Sequence, residues 1–183
     1  MGEANVQKAL EKLVARLDAS GVPYAIVGAL ALNEAGYRRA TVDVDVLLTA
    51  DGLARFKEQN LGRGYLERFP GSRGLRDTEH GVDVDVVLTG DYPGDGKPKP
   101  IEFPDPGDAA ERGRSVALLP LPRLIELKLA SGMTAPHRLR DLADVQELVR
   151  TAGLPRELAD ELHPYVRDKY LELWEAVAAH REE

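Results

Sequence analysis

The sequence predicts an α+β fold, a mixed β-sheet flanked by helices, followed by a C-terminal helical bundle. Three observations predict it. Two strands of one design occur, Thr41-Val42-Asp43-Val44-Asp45-Val46-Leu47-Leu48 and Gly81-Val82-Asp83-Val84-Asp85-Val86-Val87-Leu88. A short apolar strand, a glycine and a helix follow one another in Ile26-Val27-Gly28-Ala29-Leu30-Ala31-Leu32-Asn33. From Leu119 onward the apolar periodicity is that of helices alone. The chain is accordingly divided into an α/β domain over 1–115 and a helical domain over 116–183.

The elements follow in order. Val6, Leu10, Leu13, Val14 and Leu17 recur at helical spacing, so 4–19 is an amphipathic helix closed by Ser20-Gly21. Tyr24 to Val27 is a strand, and Ala29 to Ala35 a short helix stopped by Gly36. The first aspartate strand spans about 41–49, and Asp51 opens a helix through Asn60. Tyr65 to Phe69 is a candidate strand, and Gly71 to Gly81 reads as a polar, glycine-bearing connection. Residues 90–108 are rich in Gly, Pro, Asp and Lys and read as a long loop, with Ile101 to Phe103 a candidate strand. Helices are expected at 120–131, 137–151, 155–162 and 164–180. On the second, the stripe Leu139, Leu142, Val145 and Val149 is expected to face the core. On the last, Tyr170, Leu173, Trp174 and Val177 form another core stripe.

Composition narrows the function. With 43% hydrophobic and 30% charged residues, the 183-residue chain has the balance of a soluble globular protein. A net charge of −7 argues against a general nucleic-acid coat. The absence of cysteine excludes disulfides, thiolate catalysis and cysteine-ligated zinc. The four histidines are scattered and are expected to be incidental. Neither a secretory pattern nor, with Val6, a myristoylation pattern is present, and the expected location is cytoplasmic.

Alternation places Asp43 and Asp45 on one face of their strand, opposite Val42, Val44, Val46 and Leu48. Asp83 and Asp85 share a face in the same way. Such alternation is also what a half-buried strand with a solvated polar face shows. Aspartate, however, is disfavoured in strands. The two aspartate strands are read as neighbouring strands of one sheet, and where they pair, up to four carboxylates crowd one patch. Two such charges 4 Å apart repel by about 4 kcal/mol at an effective dielectric near 20. A cation among them would relieve this, and oxygen-only ligation suits Mg2+ or Mn2+. The strand-Gly28-helix junction offers backbone N–H groups to an anion such as phosphate, although glycine in a tight turn needs no ligand to explain it.

Together, Gly28-Ala29, Asp43-Val44-Asp45 and Asp85 (or Asp83) resemble the motifs of the DNA polymerase β-like nucleotidyltransferase superfamily. Val27 to Ala31 and Arg39 to Asp45, with Leu124 to Ala130 and Arg140 to Val145, look most like stand-alone bacterial members of the abortive-infection AbiEii type. The resemblance covers about residues 22–150. It implies a nucleotidyltransferase catalytic domain and a helical half that closes its cleft. It further implies catalytic and metal-binding roles for Asp43, Asp45 and Asp85. Asp85 is preferred to Asp83 because the strand that runs from it to Gly90 resembles the family's third-carboxylate strand. Nucleotide contacts would come from Gly28, Ala29, Asn33, Thr41, Lys128, Arg140 and Asp144. One departure is Ala29, where the family often has serine.

The activity so implied is transfer of a nucleoside monophosphate from an NTP to an acceptor hydroxyl, with Mg2+ or Mn2+. The acceptor would be a tRNA end, a protein or a small molecule such as an aminoglycoside. A toxin role would bring an antitoxin partner. The competing reading is a non-catalytic nucleotide-binding or regulatory module of the same fold, favoured only by Ala29. Lys128, in an otherwise apolar helix, is expected to reach a phosphate, so that its loss would spare the fold.

Overall fold

The computed structural model describes residues 2–180. They form two compact units, the first from 2–31, 38–89 and 104–119, the second from 32–37, 90–103 and 120–180.

The first unit is built on a seven-stranded sheet. In chain order its elements are α1 (Gly2–Ala19), β1 (Ala25–Val27), the start of α2 (Gly28–Glu34), β2 (Asp43–Leu48), α3 (Ala50–Asn60), β3 (Tyr65–Glu67), β4 (Leu75–Asp77), β5 (Val82–Leu88), α4 (Pro106–Ala109), β6 (Glu111–Arg112) and β7 (Ala117–Leu118). The strands lie in the order β3-β4-β5-β2-β1-β7-β6. β2 pairs with β5, and β1 with β7, in parallel; the other pairings are antiparallel. A parallel pair needs a long crossover, and α3 with the β3–β4 hairpin supplies it between β2 and β5.

One face of the sheet carries the core. Val44, Val46 and Leu48 of β2 and Val82, Val84 and Val86 of β5 pack with Val6, Leu10, Leu13 and Leu17 of α1 and with Leu53 and Phe56 of α3. α3 is started by Thr49, whose hydroxyl accepts from the Gly52 amide at 2.9 Å. Phe56 meets Tyr65 edge-to-face, with ring centroids 5.1 Å apart. Burying the valine face leaves the aspartate parity on the other side, where Asp43, Asp45, Asp83 and Asp85 are half-buried.

The second unit is helical. It holds α5 (Leu121–Thr134), a 3-10 turn (Pro136–Arg138), α6 (Leu139–Thr151), a second 3-10 segment (Arg156–Glu161) and α7 (Pro164–Ala179). Ile125 and Leu129, Val145 and Leu148, and Val166 and Tyr170 are among its buried side chains. At Gly132 a Cβ would stand 2.5 Å from Leu142 Cγ, so the missing side chain sets how closely α5 and α6 approach. Glu126 accepts from the His163 amide at 2.7 Å and so satisfies a donor at the start of α7.

Several expectations fail locally, for physical reasons. β4 lies inside the stretch taken as a polar connection, and β6 and β7 have no counterpart in the sequence reading. Two or three residues are too few to show a period. Ile101 to Phe103 is no strand, although Phe103 exchanges backbone hydrogen bonds with Gly90 and Asp91 at 2.9 Å each. Val42 is 80% exposed because β2 begins only at Asp43. Leu139 is 63% exposed at the first position of α6, directly after the exposed 3-10 turn. The expected helix over 155–162 is 3-10, and the one over 137–151 opens with a 3-10 turn.

Candidate functional site

The parallel register of β2 and β5 sets Asp43 beside Asp83 and Asp45 beside Asp85. Adjacent strands stand about 4.8 Å apart, so the two Asp-Val-Asp segments form a ladder of four carboxylates. The sheet continues antiparallel into β1, where Val27 is the partner of Asp45. Gly28 follows at once, with φ 67, and begins α2. A Cβ on Gly28 would stand 2.0 Å from Asp45 Oδ2. Two demands therefore fix glycine here: a left-handed backbone and the carboxylate lying against it.

The other residues named from the sequence have definite surroundings. Thr41 donates to Asp43 Oδ1 at 2.5 Å and so orients that carboxylate. Ala29 is buried at 5% exposure. Asn33 is half-buried on α2. In the helical unit, Arg140 is exposed on α6, whereas Lys128 and Asp144 are buried. Lys128 Nζ donates to Asp144 Oδ2 at 2.9 Å and to Asp141 Oδ1 at 3.0 Å. Asp141 also accepts from Ser131 Oγ at 2.6 Å. Burial raises the Asp141 carboxyl, but the Lys128 charge and the Ser131 and Lys128 hydrogen bonds outweigh it and hold it below its usual range.

Two arginines were missed. Arg68 forms an ion pair with Asp85 at 2.5 Å, and Arg76 one with Asp83 at 2.8 Å. Arg76 is the cross-strand partner of Asp83 in the β4–β5 pair. Its signal was present in the sequence, as opposite charges seven residues apart around the Gly81 turn, but only knowledge of the hairpin makes it legible. Arg68 lies just beyond β3 and offers no such spacing to Asp85.

A second acidic group sits elsewhere in the same unit. One ligand-type atom each from Asp77, Glu79 and His80 lies within 4.8 Å of the others, and no other set of three does so among the described residues. The carboxylates of the β2–β5 ladder are not drawn together in this way. Asp77 is fully buried and meets Lys12 Nζ at 2.5 Å and His80 Nδ1 at 2.7 Å. Lys12 also reaches Glu79 at 3.2 Å and lies over the Tyr65 ring, 4.8 Å from its centroid. The cluster thus has a cation of its own, and His80, expected to be incidental, is part of it. Burial pushes the Asp77 carboxyl up, yet hydrogen bonds from Lys12, His80 and the Glu79 amide leave it below its ordinary value.

The chain matches no protein-family model and no curated protein sequence. Among solved structures it is similar to the antibiotic-resistance factor ANT(2'')-Ia, a nucleotidyltransferase. Its solution structure aligns over 100% of this chain and 99% of its own length, at 14% identity and a TM-score of 0.58. A crystal structure of ANT(2'')-Ia in complex with adenylyl-2''-tobramycin aligns over 94% and 99%, at 12% identity and a TM-score of 0.50. JHP933 from Helicobacter pylori aligns over 95% of this chain and 79% of its own, at 17% identity and a TM-score of 0.48. The fold is that of the nucleotidyltransferases: a mixed sheet flanked by helices, with C-terminal helices. Among the described residues, no helix is long and apolar enough to cross a membrane.

Proposed function

We propose that this chain is a metal-dependent nucleotidyltransferase, in which an acceptor hydroxyl attacks the α-phosphate of an NTP, taking the nucleoside monophosphate and releasing pyrophosphate. The observation that carries the reading is the in-register aspartate ladder, with Asp45 pressed against the Gly28 turn. Four half-buried carboxylates on neighbouring strands make an all-oxygen donor set, and that chemistry fits Mg2+ or Mn2+. The Asp77 cluster fits less well, because Lys12 already neutralises it.

In this reading Asp43 and Asp45 hold the ions, Thr41 keeps the Asp43 carboxylate turned for the task, and Asp85 completes the set. Asp85 is favoured over Asp83 because it is the neighbour of Asp45, the aspartate under the turn. When bound, a pair of divalent ions supplies charge neutralisation at the attacking and leaving oxygens of an in-line displacement. The backbone of Gly28 and Ala29 faces the triphosphate, and Asp85 accepts the proton of the attacking hydroxyl. Arg140 is an exposed cation of the helical unit, while Lys128 and Asp144 are engaged with each other.

For the acceptor, a small cationic molecule bearing hydroxyls is favoured over RNA. The net charge of −7 supports that choice, and the fold neighbour ANT(2'')-Ia has been seen with an adenylylated aminoglycoside. The AbiEii-type alternative, with a protein or tRNA acceptor and an antitoxin, has only the sequence resemblance behind it.

The test is incubation with each labelled triphosphate, Mg2+ and a panel of aminoglycosides, tRNA and cell extract, alongside Asp45→Asn. Label should pass to one acceptor class with wild type, and Asp45→Asn should transfer none while keeping its fold. Nucleotide binding without transfer to any acceptor would instead identify a non-catalytic module.

A further inference from the structure

We propose that Arg68 is a latch on the carboxylate site: it holds Asp85 while no metal is bound, and passes to the substrate's phosphates when the metal displaces it. The inference rests on the metal-dependent reading above and adds a residue that no sequence motif marks.

Four observations carry it. First, the Arg68 guanidinium is the partner of Asp85, at 2.5 Å, so the cation now on that carboxylate is a side chain. Second, among the described residues no three ladder carboxylates have ligand atoms gathered within 4.8 Å of one another. Asp85 is turned to Arg68 and Asp83 to Arg76, so cation binding requires at least Asp85 to change partner. Third, the resting place of Arg68 is built into the backbone. A Cβ on Gly74 would stand 2.4 Å from Arg68 Nε and Nη2, and Gly74 has no need of glycine on φ grounds. Glycine there makes room for the guanidinium.

Fourth, the loop that carries Arg68 is tied down while its side chain is not. Glu67 Oε2 accepts from the Gly71 amide at 2.8 Å, Lys57 bridges Glu67 at 2.7 Å and the Ser72 carbonyl at 2.6 Å, and the Arg68 amide bonds the Gly74 carbonyl at 3.2 Å. The Arg68 side chain remains 38% exposed, as does 37% of Asp85. Release is therefore a rotamer change in a side chain on a fixed hinge. Arg76 differs, being set in β4 directly across from Asp83. A guanidinium freed beside a triphosphate matches phosphate oxygens with two parallel donors, which lysine cannot do.

The latch makes two opposite changes in one variant. Mn2+ titrated alone into the full chain, followed by calorimetry or by the signal of free Mn2+, should bind Arg68→Gln about two- to fivefold more tightly than wild type, since an exposed competing ion pair is gone. With a non-hydrolysable triphosphate and Mn2+ together, the same variant should bind the nucleotide about ten- to a hundredfold more weakly, the contribution of a charged hydrogen bond. Gly74→Ala, which crowds the guanidinium out of its seat, should reproduce the tighter Mn2+ binding with arginine still present. Arg68→Lys should restore the latch more fully than the nucleotide contact. Unchanged or weaker Mn2+ binding by both Arg68→Gln and Gly74→Ala overturns the latch while leaving the metal site standing. Unchanged nucleotide affinity overturns the hand-over to phosphate. A wild type that binds no Mn2+ removes the metal reading itself, and the latch with it.

Discussion

Two kinds of carboxylate cluster coexist in this chain, and they differ in where their cation comes from. At Asp77 and Asp144 the acid is buried, Asp141 beside Asp144 is 15% exposed, and the cation is a lysine largely withdrawn from water, Lys128 buried and Lys12 13% exposed. On the β2–β5 ladder the acids are half-exposed, and the counter-ions of Asp85 and Asp83 are arginines that are themselves 38% and 48% exposed. A buried pair cannot exchange its partner without leaving a bare charge out of water, which costs several kcal/mol. An exposed pair contributes little and gives way to a better ligand. Acid content alone does not mark a binding site; a site for an added cation also needs counter-ions that can give way.

The comparison breaks most visibly if these two lysines are removed. Lys128→Met should cost about 3–5 kcal/mol in unfolding free energy, because Asp144 and Asp141 lose the buried cation they share. This reverses the expectation that the fold would hardly notice the change. Lys12→Met should cost about 3 kcal/mol, the lower end, since His80 and the Glu79 amide stay on Asp77. Chemical denaturation measures both. Their pH dependence sharpens the point. The folded Asp77 and Asp141 carboxyls lie below their usual values. Their stabilisation is thus present above the unfolded carboxyl pKa of about 3.9 and lost as pH falls through the lower folded values. Lys12→Met should flatten the Asp77 part of that acid loss. Mn2+ binding at neutral pH should be untouched by Lys12→Met; if it tightens, the metal belongs to the Asp77 cluster, freed of its competing cation, and the roles of the two regions are exchanged.

Much of this was legible in the sequence, and the rest failed for definable reasons. The Val-Asp-Val-Asp alternation gave both strands and their buried face because it runs over several residues with one period. That β2 and β5 would be neighbours followed from their likeness, whereas the matched register of Asp43 with Asp83 did not. The strand-Gly28-helix turn was visible, but not the Asp45 carboxylate against it, which depends on β1 pairing with β2. Lys128 was singled out correctly as an unusual charge in an apolar helix. Its partners lie 13 and 16 residues on, across a helix packing that the sequence does not spell out. Arg68 and Lys12 were invisible for the same reason: each acts on an acid 17 or 65 positions away.

A smaller effect is expected at the turn that joins the ladder to the proposed phosphate site. Gly28→Ala asks a left-handed position to take a side chain, at about 1–2 kcal/mol, and sets a methyl where Asp45 Oδ2 now lies. The carboxylate has to turn away, so Mn2+ affinity should fall along with stability. Thermal unfolding with and without Mn2+ separates the two. A variant that loses stability but keeps full Mn2+ affinity would show that Asp45 binds metal in some other rotamer.

The smallest effect should come from Asp83→Asn, which tests whether all four rungs of the ladder are equal. Asp83 and Asp85 have the same 37% exposure, and each faces one arginine. They differ in their neighbours. Asp85 lies beside Asp45 and the Gly28 turn, whereas Asp83 lies beside Asp43, one step further from it. Arg76 is fixed opposite Asp83 by strand pairing, so that acid already has a partner suited to a sheet surface. Asp83→Asn should therefore remove only an exposed pair, shifting stability by about 0–1 kcal/mol, with Mn2+ affinity and transfer close to wild type. Asp85→Asn in the same assay should abolish transfer and weaken triphosphate binding only in part. If Asp83→Asn is the inactive variant and Asp85→Asn transfers normally, the third carboxylate has been misassigned, and Arg76 rather than Arg68 would be the counter-ion that a metal has to displace.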